Sequence, residues 1–307
     1  MFISGNTYSI EGLFDAMKQA LLKVGWIPYK LSEDTYVFCG NGSGQDKIYI
    51  MISYHNLDNS IIIDSAVGYD PNLGFFEQPG CLQQYLKSEG VYDSEAENFT
   101  PNYKDNQPAF IITKNERFYY WIFVDTYRII VVCRMSIVYE SMYLGFINPI
   151  ASERQYPYPM YVCGNSTVSA KQWTSSGLGS FIFPSNGSGL LRRADGNWRS
   201  FDASKPYPSP SSTGTVFPYT SANKKLIPNY KETDSINQDN FLLIPIMLQT
   251  NNPVDLNGLL RGCYWISGTR DIDAERILQY DGNKFIVFDT QMARDSNTYF
   301  AIRIEEE

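Results

Sequence analysis

A chain of 307 residues with 43% hydrophobic and only 19% charged side chains is long enough for one large or two medium domains with real cores. The usual charged share is about 25%, so Asn, Ser, Thr, Gln and Tyr must cover much of this surface. A net charge of -8 and a sequence pI of about 4.8 weigh against nucleic acid or an anionic membrane as the main partner, because both need basic surface. Aromatics reach 15%, with 23 Tyr and 18 Phe, a composition that suits β-strands and also large, partly polar protein contacts. The five cysteines (Cys39, Cys81, Cys133, Cys163 and Cys263) are odd in number, widely spaced and form no CxxC pair. They predict reduced, buried thiols in a protein made in a cytoplasm, not a zinc or redox motif. The start MFISGNTYSIEG lacks the basic and apolar regions of a signal peptide. The most apolar window, Tyr119 to Cys133, contains Asp125 and Arg128 and is too short for a bilayer, so a soluble chain is expected.

In chain order, Ser9 to Val24 predicts one helix, with Ser9 as N-cap, Glu11 and Asp15 near its positive end and Gly25 as the stop. Leu13, Met17, Ala20, Leu21 and Val24 form an apolar stripe at helical spacing, a core face. Asp34–Cys39, Lys47–Tyr54 and Ser60–Val67 then read as strands, an α+β unit of one helix on a small antiparallel sheet. Gly68 to Tyr103 reads as an irregular connector. Phe118–Val124 and Tyr127–Met135 predict a hairpin turning at Asp125-Thr126, its near-continuous apolar content implying burial on both faces. Gly164 to Asp234 is rich in Gly, Ser, Asn and Pro; within it Lys205 to Thr215 predicts an extended or mobile loop. Structure resumes at Asn240–Leu248. Gly258–Ile304 predicts a β-meander with strands near Cys263–Gly268, Ile277–Tyr280, Lys284–Phe288 and Thr298–Ile304. The expected whole is mostly β in an α+β arrangement. An N-terminal lobe covers 1–88, a connector 89–112 and a β-rich domain 113–307, with a variable region at 164–239.

Catalytic chemistry has little to stand on in this sequence. His55 is the single histidine, which leaves Ser-His-Asp or Cys-His machinery only if His55 serves; at a strand end it reads as structural. CGNGSG, Cys39 to Gly44, resembles a phosphate loop but lacks the following Lys-Ser/Thr and lies between strands. SGLGS, Ser176 to Ser180, fails in the same way. Asp271, Asp273 and Glu275 alternate like cation ligands, yet Arg270 and Arg276 flank them and favour a salt-bridged surface turn. Leu191-Arg192-Arg193 reads as a solvated hairpin edge. Paired carboxylates for glycoside cleavage are set in three dimensions, and no pair is singled out here. No catalytic residue, cofactor or metal site is assigned.

Several segments in order resemble a family of tailed-bacteriophage virion structural proteins. They are LFDAMKQALLKVGW, then VGYDPNLGFFEQPG, then RFYYWIFVDTYRIIVVCRMSIVYESMYLGFINPIASERQYPYPMYVCGNS. The last is LNGLLRGCYWISG followed by ERILQYDGNKFIVFDTQMARDSNTYFAIRI. The resemblance covers nearly the whole chain except Gly164 to Asp239, and departs from the family at Asp125-Thr126-Tyr127, where Asn-Gly is expected. It implies a non-enzymatic virion part of the neck, collar or tail-completion layer, a ring homo-oligomer touching other tail and neck proteins. A baseplate or host-glycan-recognition role is the alternative it leaves open, suggested by the aromatic, Asn/Ser-rich loops of 164–239. A polysaccharide hydrolase has only scattered carboxylates behind it.

Tyr156-Pro157-Tyr158-Pro159 then reads as a pre-stiffened strand. Each proline fixes its own φ and pushes the preceding tyrosine into an extended form. Such a segment can lie across a neighbouring subunit at small entropic cost, or staple the hairpin to the next strand within one chain. Tyr143, Phe146, Tyr156, Pro157, Tyr158 and Pro159 are the candidate interface residues.

Overall fold

The structure, a computed structural model, describes residues 1–43, 46–55, 59–82, 109–111, 116–150, 159–164, 180–182, 189–193, 196–201, 214–217, 243–251, 254–266, 273–289 and 299–304. In chain order its elements are β1 (Phe2–Thr7), α1 (Ile10–Lys23), β2 (Ile27–Lys30), β3 (Thr35–Ser43), β4 (Asp46–His55), β5 (Ser60–Ala66) and β6 (Ala109–Ile111). The hairpin region supplies β7 (Phe118–Val124), β8 (Arg128–Met135), β9 (Val138–Phe146) and β10 (Met160–Cys163). There follow β11 (Gly189–Arg192), β12 (Trp198–Phe201), β13 (Gly214–Phe217), β14 (Leu243–Asn251), β15 (Val254–Ile266), β16 (Ile277–Tyr280), β17 (Asn283–Asp289) and β18 (Tyr299–Ile304). The fold is mostly β, α+β, with one helix packed on antiparallel sheet, as expected from the sequence.

The helix ends are made locally. The Ser9 hydroxyl accepts from the Gly12 N–H at 3.1 Å, satisfying one of the first-turn donors. At the other end Gly25, at φ +90, lets its own N–H reach the Leu22 carbonyl at 3.0 Å and the Trp26 N–H reach Leu21 at 3.1 Å. That pair of bonds is a Schellman stop, which a residue with a Cβ would strain. Ile10, Leu13, Phe14, Met17, Ala20 and Leu21 face inward; Val24 is half-buried against them.

Three antiparallel sheets stack as layers. A seven-stranded central sheet runs β1-β7-β8-β9-β10-β11-β12, a five-stranded sheet β2-β3-β4-β5-β6, and a six-stranded sheet β13-β14-β15-β18-β17-β16. Side chains alternate across a strand, and the central sheet uses both faces. Ile129, Val131 and Cys133 of β8 join α1 and the five-stranded sheet in one core, while Ile130 and Val132 join the six-stranded sheet in another. This explains the unbroken apolar run of β8: a sheet buried on both sides cannot alternate with polar residues.

The core does not divide where a 1–88 and 113–307 division would cut the chain. β1 pairs with β7 along Phe2↔Phe123 to Thr7↔Phe118, and the first core mixes Leu13, Phe38 and Ile63 with Ile122, Met142 and Leu190. Two further expectations are corrected. The C-terminal strands are not a meander, because β18 inserts between β15 and β17 and leaves β16 at the edge, a Greek-key order. The reason is burial: Phe300, Ala301 and Ile302 of β18 are 0–1% exposed, whereas three of the four β16 residues face solvent. Gly68 onward is also not shapeless. Gln78, wholly buried, accepts from the Asp70 N–H at 2.8 Å and donates to the carbonyls of Asp70, Leu73 and Gly74, closing residues 68–82 as a compact loop. Residues 83–108 lie outside the described residues, as do Lys205 to 213; Gly214 and Thr215, expected in that loop, begin the edge strand β13.

All five cysteines are free and buried. Burial pushes the Cys263 thiol up to about 12, against a lowering pull from Arg128, and raises Cys133 well above its ordinary value. Burial likewise raises the Tyr143 and Tyr161 phenols. Each of these groups keeps its proton in the folded chain at pH values where the unfolded chain loses it, so stability is full below about pH 9 and falls as pH rises beyond it. Thermal melting followed from pH 7 to 11 should show the decline, and thiol labelling at pH 7.5 should be slow until the chain unfolds. Leu21, fully buried in the core shared by α1 and two sheets, gives a second test. Leu21→Asp sets an unpaired charge there at a cost of several kcal/mol, comparable with the whole stability of a domain. The full chain, and not an N-terminal part alone, should fail to accumulate as soluble folded protein.

Candidate functional site

The residues around the β7–β8 turn bring all three layers together. Asp125 closes the turn: its N–H donates to the Arg128 carbonyl at 3.1 Å, and its Oδ1 accepts from the N–H groups of Tyr127 at 2.7 Å and Arg128 at 3.0 Å. This Asx arrangement holds a turn that Asn-Gly would otherwise form by backbone preference alone. It also moves the start of β8 from the expected Tyr127 to Arg128. The turn carbonyls are acceptors for the rest of the molecule. Trp26 Nε1, just past the helix stop, donates to Asp125 O at 2.8 Å, and the Gly42 N–H of β3 reaches Thr126 O at 3.3 Å.

From the other side comes a bulge. The β14–β15 register shifts between Pro245↔Tyr264 and Met247↔Leu259, which accommodates a proline inside a strand. The extra residues on β15 aim Arg261 and Gly262 at the turn. Arg261 stacks its guanidinium 3.8 Å from the Tyr127 ring centre and donates to Asn148 Oδ1. A Cβ on Gly262 would lie 2.9 Å from Arg128 Nη2, so the two sheets approach as closely as atoms allow. Arg128 is itself 2% exposed and pairs with Asp125 through Nε at 3.5 Å. Beside it Gly145, at φ +147, lies so near β8 that a Cβ would collide with the Tyr127 carbonyl oxygen. Asn148 and Leu259 exchange backbone bonds at 2.9 and 2.7 Å, a one-residue bridge between central and six-stranded sheets.

A second tie joins the same two sheets. Arg134 of β8 forms an ion pair with Glu275, which also accepts from the Tyr139 hydroxyl at 2.5 Å; the guanidinium lies over the Tyr119 ring at 4.8 Å. Glu275 was expected to pair with its neighbours in a surface turn; instead it holds a left-handed conformation, φ +69, and reaches across the layers. Asp271 and Arg270 lie outside the described residues.

The candidate interface residues fall in different places. Tyr143 is fully buried, its hydroxyl donating to Phe146 O at 2.6 Å and its ring 5.8 Å from Tyr161 and 5.7 Å from Phe181. Phe146 is 2% exposed in the opposite core, and Pro159 is buried with its carbonyl accepting from the Ile147 N–H at 3.0 Å. Tyr143, Phe146 and Pro159 therefore belong to the interior, not to a docking surface: strand alternation turns Tyr143 and Phe146 to opposite faces of a sheet that has no solvent face at this point. Tyr156, Pro157 and Tyr158 lie outside the described residues.

His55 ends β4 with Nε2 3.3 Å from Ser53 Oγ, and Ser53 in turn contacts Thr35 Oγ1 at 2.8 Å. Ser53 is 4% exposed, so a hydroxyl that would have to attack a substrate is inside the sheet. Among the described residues no group of three or more His, Cys, Asp or Glu is placed to hold a metal, and no helix is long and apolar enough to cross a membrane. What the junction can do chemically is fix geometry. Neither protein-family models nor curated proteins match this chain.

Asp125→Ala removes two backbone acceptor contacts and the carboxylate beside buried Arg128. Stripping one partner from a buried pair costs about 3–5 kcal/mol, so denaturant melts should show a loss of that size. Tyr143→Phe removes one buried hydrogen bond and should cost about 1 kcal/mol while leaving the fold intact.

Proposed function

We propose that this chain is a non-enzymatic structural component of a phage virion, a ring-forming protein of the neck, collar or tail-completion layer that helps join head to tail. The observation that carries the reading is where the phage-like segments lie. LFDAMKQALLKVGW forms α1 and its stop, VGYDPNLGFFEQPG forms the Gln78-closed loop, and the central signature forms β7, β8, β9 and β10. The last segment forms β15 to β18. These segments belong to the frame, and three of them meet at the Asp125–Arg128 turn: the first through Trp26, the central one through the turn itself and the last through Arg261. A part that must hold position under mechanical load is served by a core shared across three layers, with few charged residues and many tyrosines to meet neighbours.

Tyr156 and Tyr158 remain the proposed contact segment, with neighbouring copies or other neck and tail proteins as partners. Gradient-purified particles of the phage that encodes the chain should contain it in fixed copy number by gel and mass spectrometry. Tyr156→Ala with Tyr158→Ala should melt normally by circular dichroism yet be depleted from particles, because an aromatic anchor at an interface contributes about 2 kcal/mol or more. Particles that assemble and infect without any of this protein would contradict the role. Early melting of the double variant would assign the two tyrosines to an internal staple.

A further inference from the structure

We infer that His55, Ser53, Thr35 and Asp34 form a one-way hydrogen-bond relay, a proton-linked clasp that tightens one end of the β3–β4 pair when His55 takes up a proton. The inference is independent of the assembly reading above and concerns the single chain.

The direction of the relay follows from counting protons. An ionised carboxylate can only accept, and a hydroxyl has one proton to give. Thr35 Oγ1 lies 3.0 Å from Asp34 Oδ1, so the threonine proton is committed there. Ser32 gives its own proton to the same oxygen. The 2.8 Å contact between Thr35 and Ser53 must then use the Ser53 proton, with Thr35 accepting. Ser53 has none left for its 3.3 Å contact with His55, so Nε2 of the imidazole carries a hydrogen and donates it. In this tautomer Nε2 cannot take a proton from Ser53, so the two are not a nucleophile and its base.

Asp34 is ionised, as the relay requires. Partial burial pushes its carboxyl up, but the hydroxyls of Ser32 and Thr35, its own backbone N–H and the charge of His55 together hold it below the usual carboxylate value. The attraction is reciprocal, so the carboxylate favours the imidazolium. Protonation adds a hydrogen at Nδ1 and leaves Nε2 donating, which keeps the relay and makes it charge-assisted. His55 is the only histidine in the chain, and an unperturbed imidazole titrates near pH 6.5, between the ordinary ranges of carboxylates and phenols.

The relay crosses the strands where they are not closed by their own turn. Thr35 pairs with Ser53 in the antiparallel register, and the Tyr54 N–H donates to the Asp34 carbonyl at 3.0 Å alongside. Alternation turns Tyr54 to the other face of the sheet, its ring 4.8 Å from Phe14 of α1, and Glu11 and Asp15 of α1 act on Tyr54 from there. Glu33, beside Asp34, is paired with Lys30. β5 sets Ser60 opposite His55, and β6 has no titratable residue. Asp58 lies outside the described residues. Closing the clasp raises the His55 pKa, so its contribution is full below about pH 6.5 and is lost as pH rises through the folded value. A rise of about half a unit, well within what a nearby opposite charge supplies, corresponds to an opening equilibrium about threefold larger above the titration than below it.

Nuclear magnetic resonance of the full chain, with its histidine isotopically labelled, gives one imidazole to read. In wild type Nε2 should carry the hydrogen above the titration, and the pKa should lie about half a unit above that of Thr35→Val, which keeps the shape of residue 35 and breaks the relay. Ser53→Ala, which breaks it one link nearer His55, should match Thr35→Val. Exchange of the Tyr54 amide, corrected for its intrinsic rate, should show about threefold more opening at pH 8.5 than at pH 5.5. His55→Gln and Thr35→Val should lose that step while still melting cooperatively. An Nδ1–H tautomer in wild type, or a pKa unmoved in both hydroxyl variants, would overturn the relay. So would a step that vanishes in Asp58→Asn yet persists in Thr35→Val, since it would then belong to another carboxylate. A Tyr54 amide that opens equally at both pH values would overturn the clasp.

Discussion

The Asp125 carboxylate sits at the point on which the three layers depend. It bonds two N–H groups of its own turn and neutralises Arg128, a guanidinium with 2% exposure. By fixing the turn it presents the Asp125 and Thr126 carbonyls to Trp26 and Gly42, so that the helix and the five-stranded sheet register against the central sheet. On the opposite side the same turn receives Arg261 on the Tyr127 ring. A buried ion pair of this kind adds little net stability over a well-packed apolar substitute, but losing one partner is expensive. Its value here is positional: a sheet covered on both faces has no solvent side to break the equivalence of its two cores, and the turn supplies the asymmetry.

Features decided by near neighbours along the chain are legible in the residues themselves. The helix announces itself through Ser9, the Leu13–Met17–Leu21 stripe and Gly25, and the caps are those residues. The double burial of β8 follows from an apolar run too continuous for a half-exposed strand. Features decided by distant partners are not legible in this way. Nothing in FISGNT tells that it pairs with β7, more than a hundred residues away, and this pairing is what joins the N-terminal helix to the second half of the chain. The insertion of β18 beside β15 is equally non-local. Gln78 carries no signal, because a glutamine that plugs a loop looks like any surface glutamine until four backbone groups converge on it.

The interface reading shows the same limit in functional terms. Tyr143 and Phe146 belong to a segment whose aromatic content suits either a core or a contact, and only the register with β8 and β10 reveals that both are inside. Glu275 goes the other way: a carboxylate expected in a surface turn is a tie between sheets, because the chain there adopts a left-handed backbone that turns it toward Arg134.

The central claim is a three-layer body that is complete within one chain before any assembly. Hydrogen exchange of the isolated chain and of the assembled form, followed by mass spectrometry at peptide resolution, tests it most directly. Peptides covering β7, β8 and β9 should exchange only through global unfolding and be equally protected in both forms. Rapid exchange in β8 of the isolated chain, with protection appearing only in the assembled form, would contradict the account.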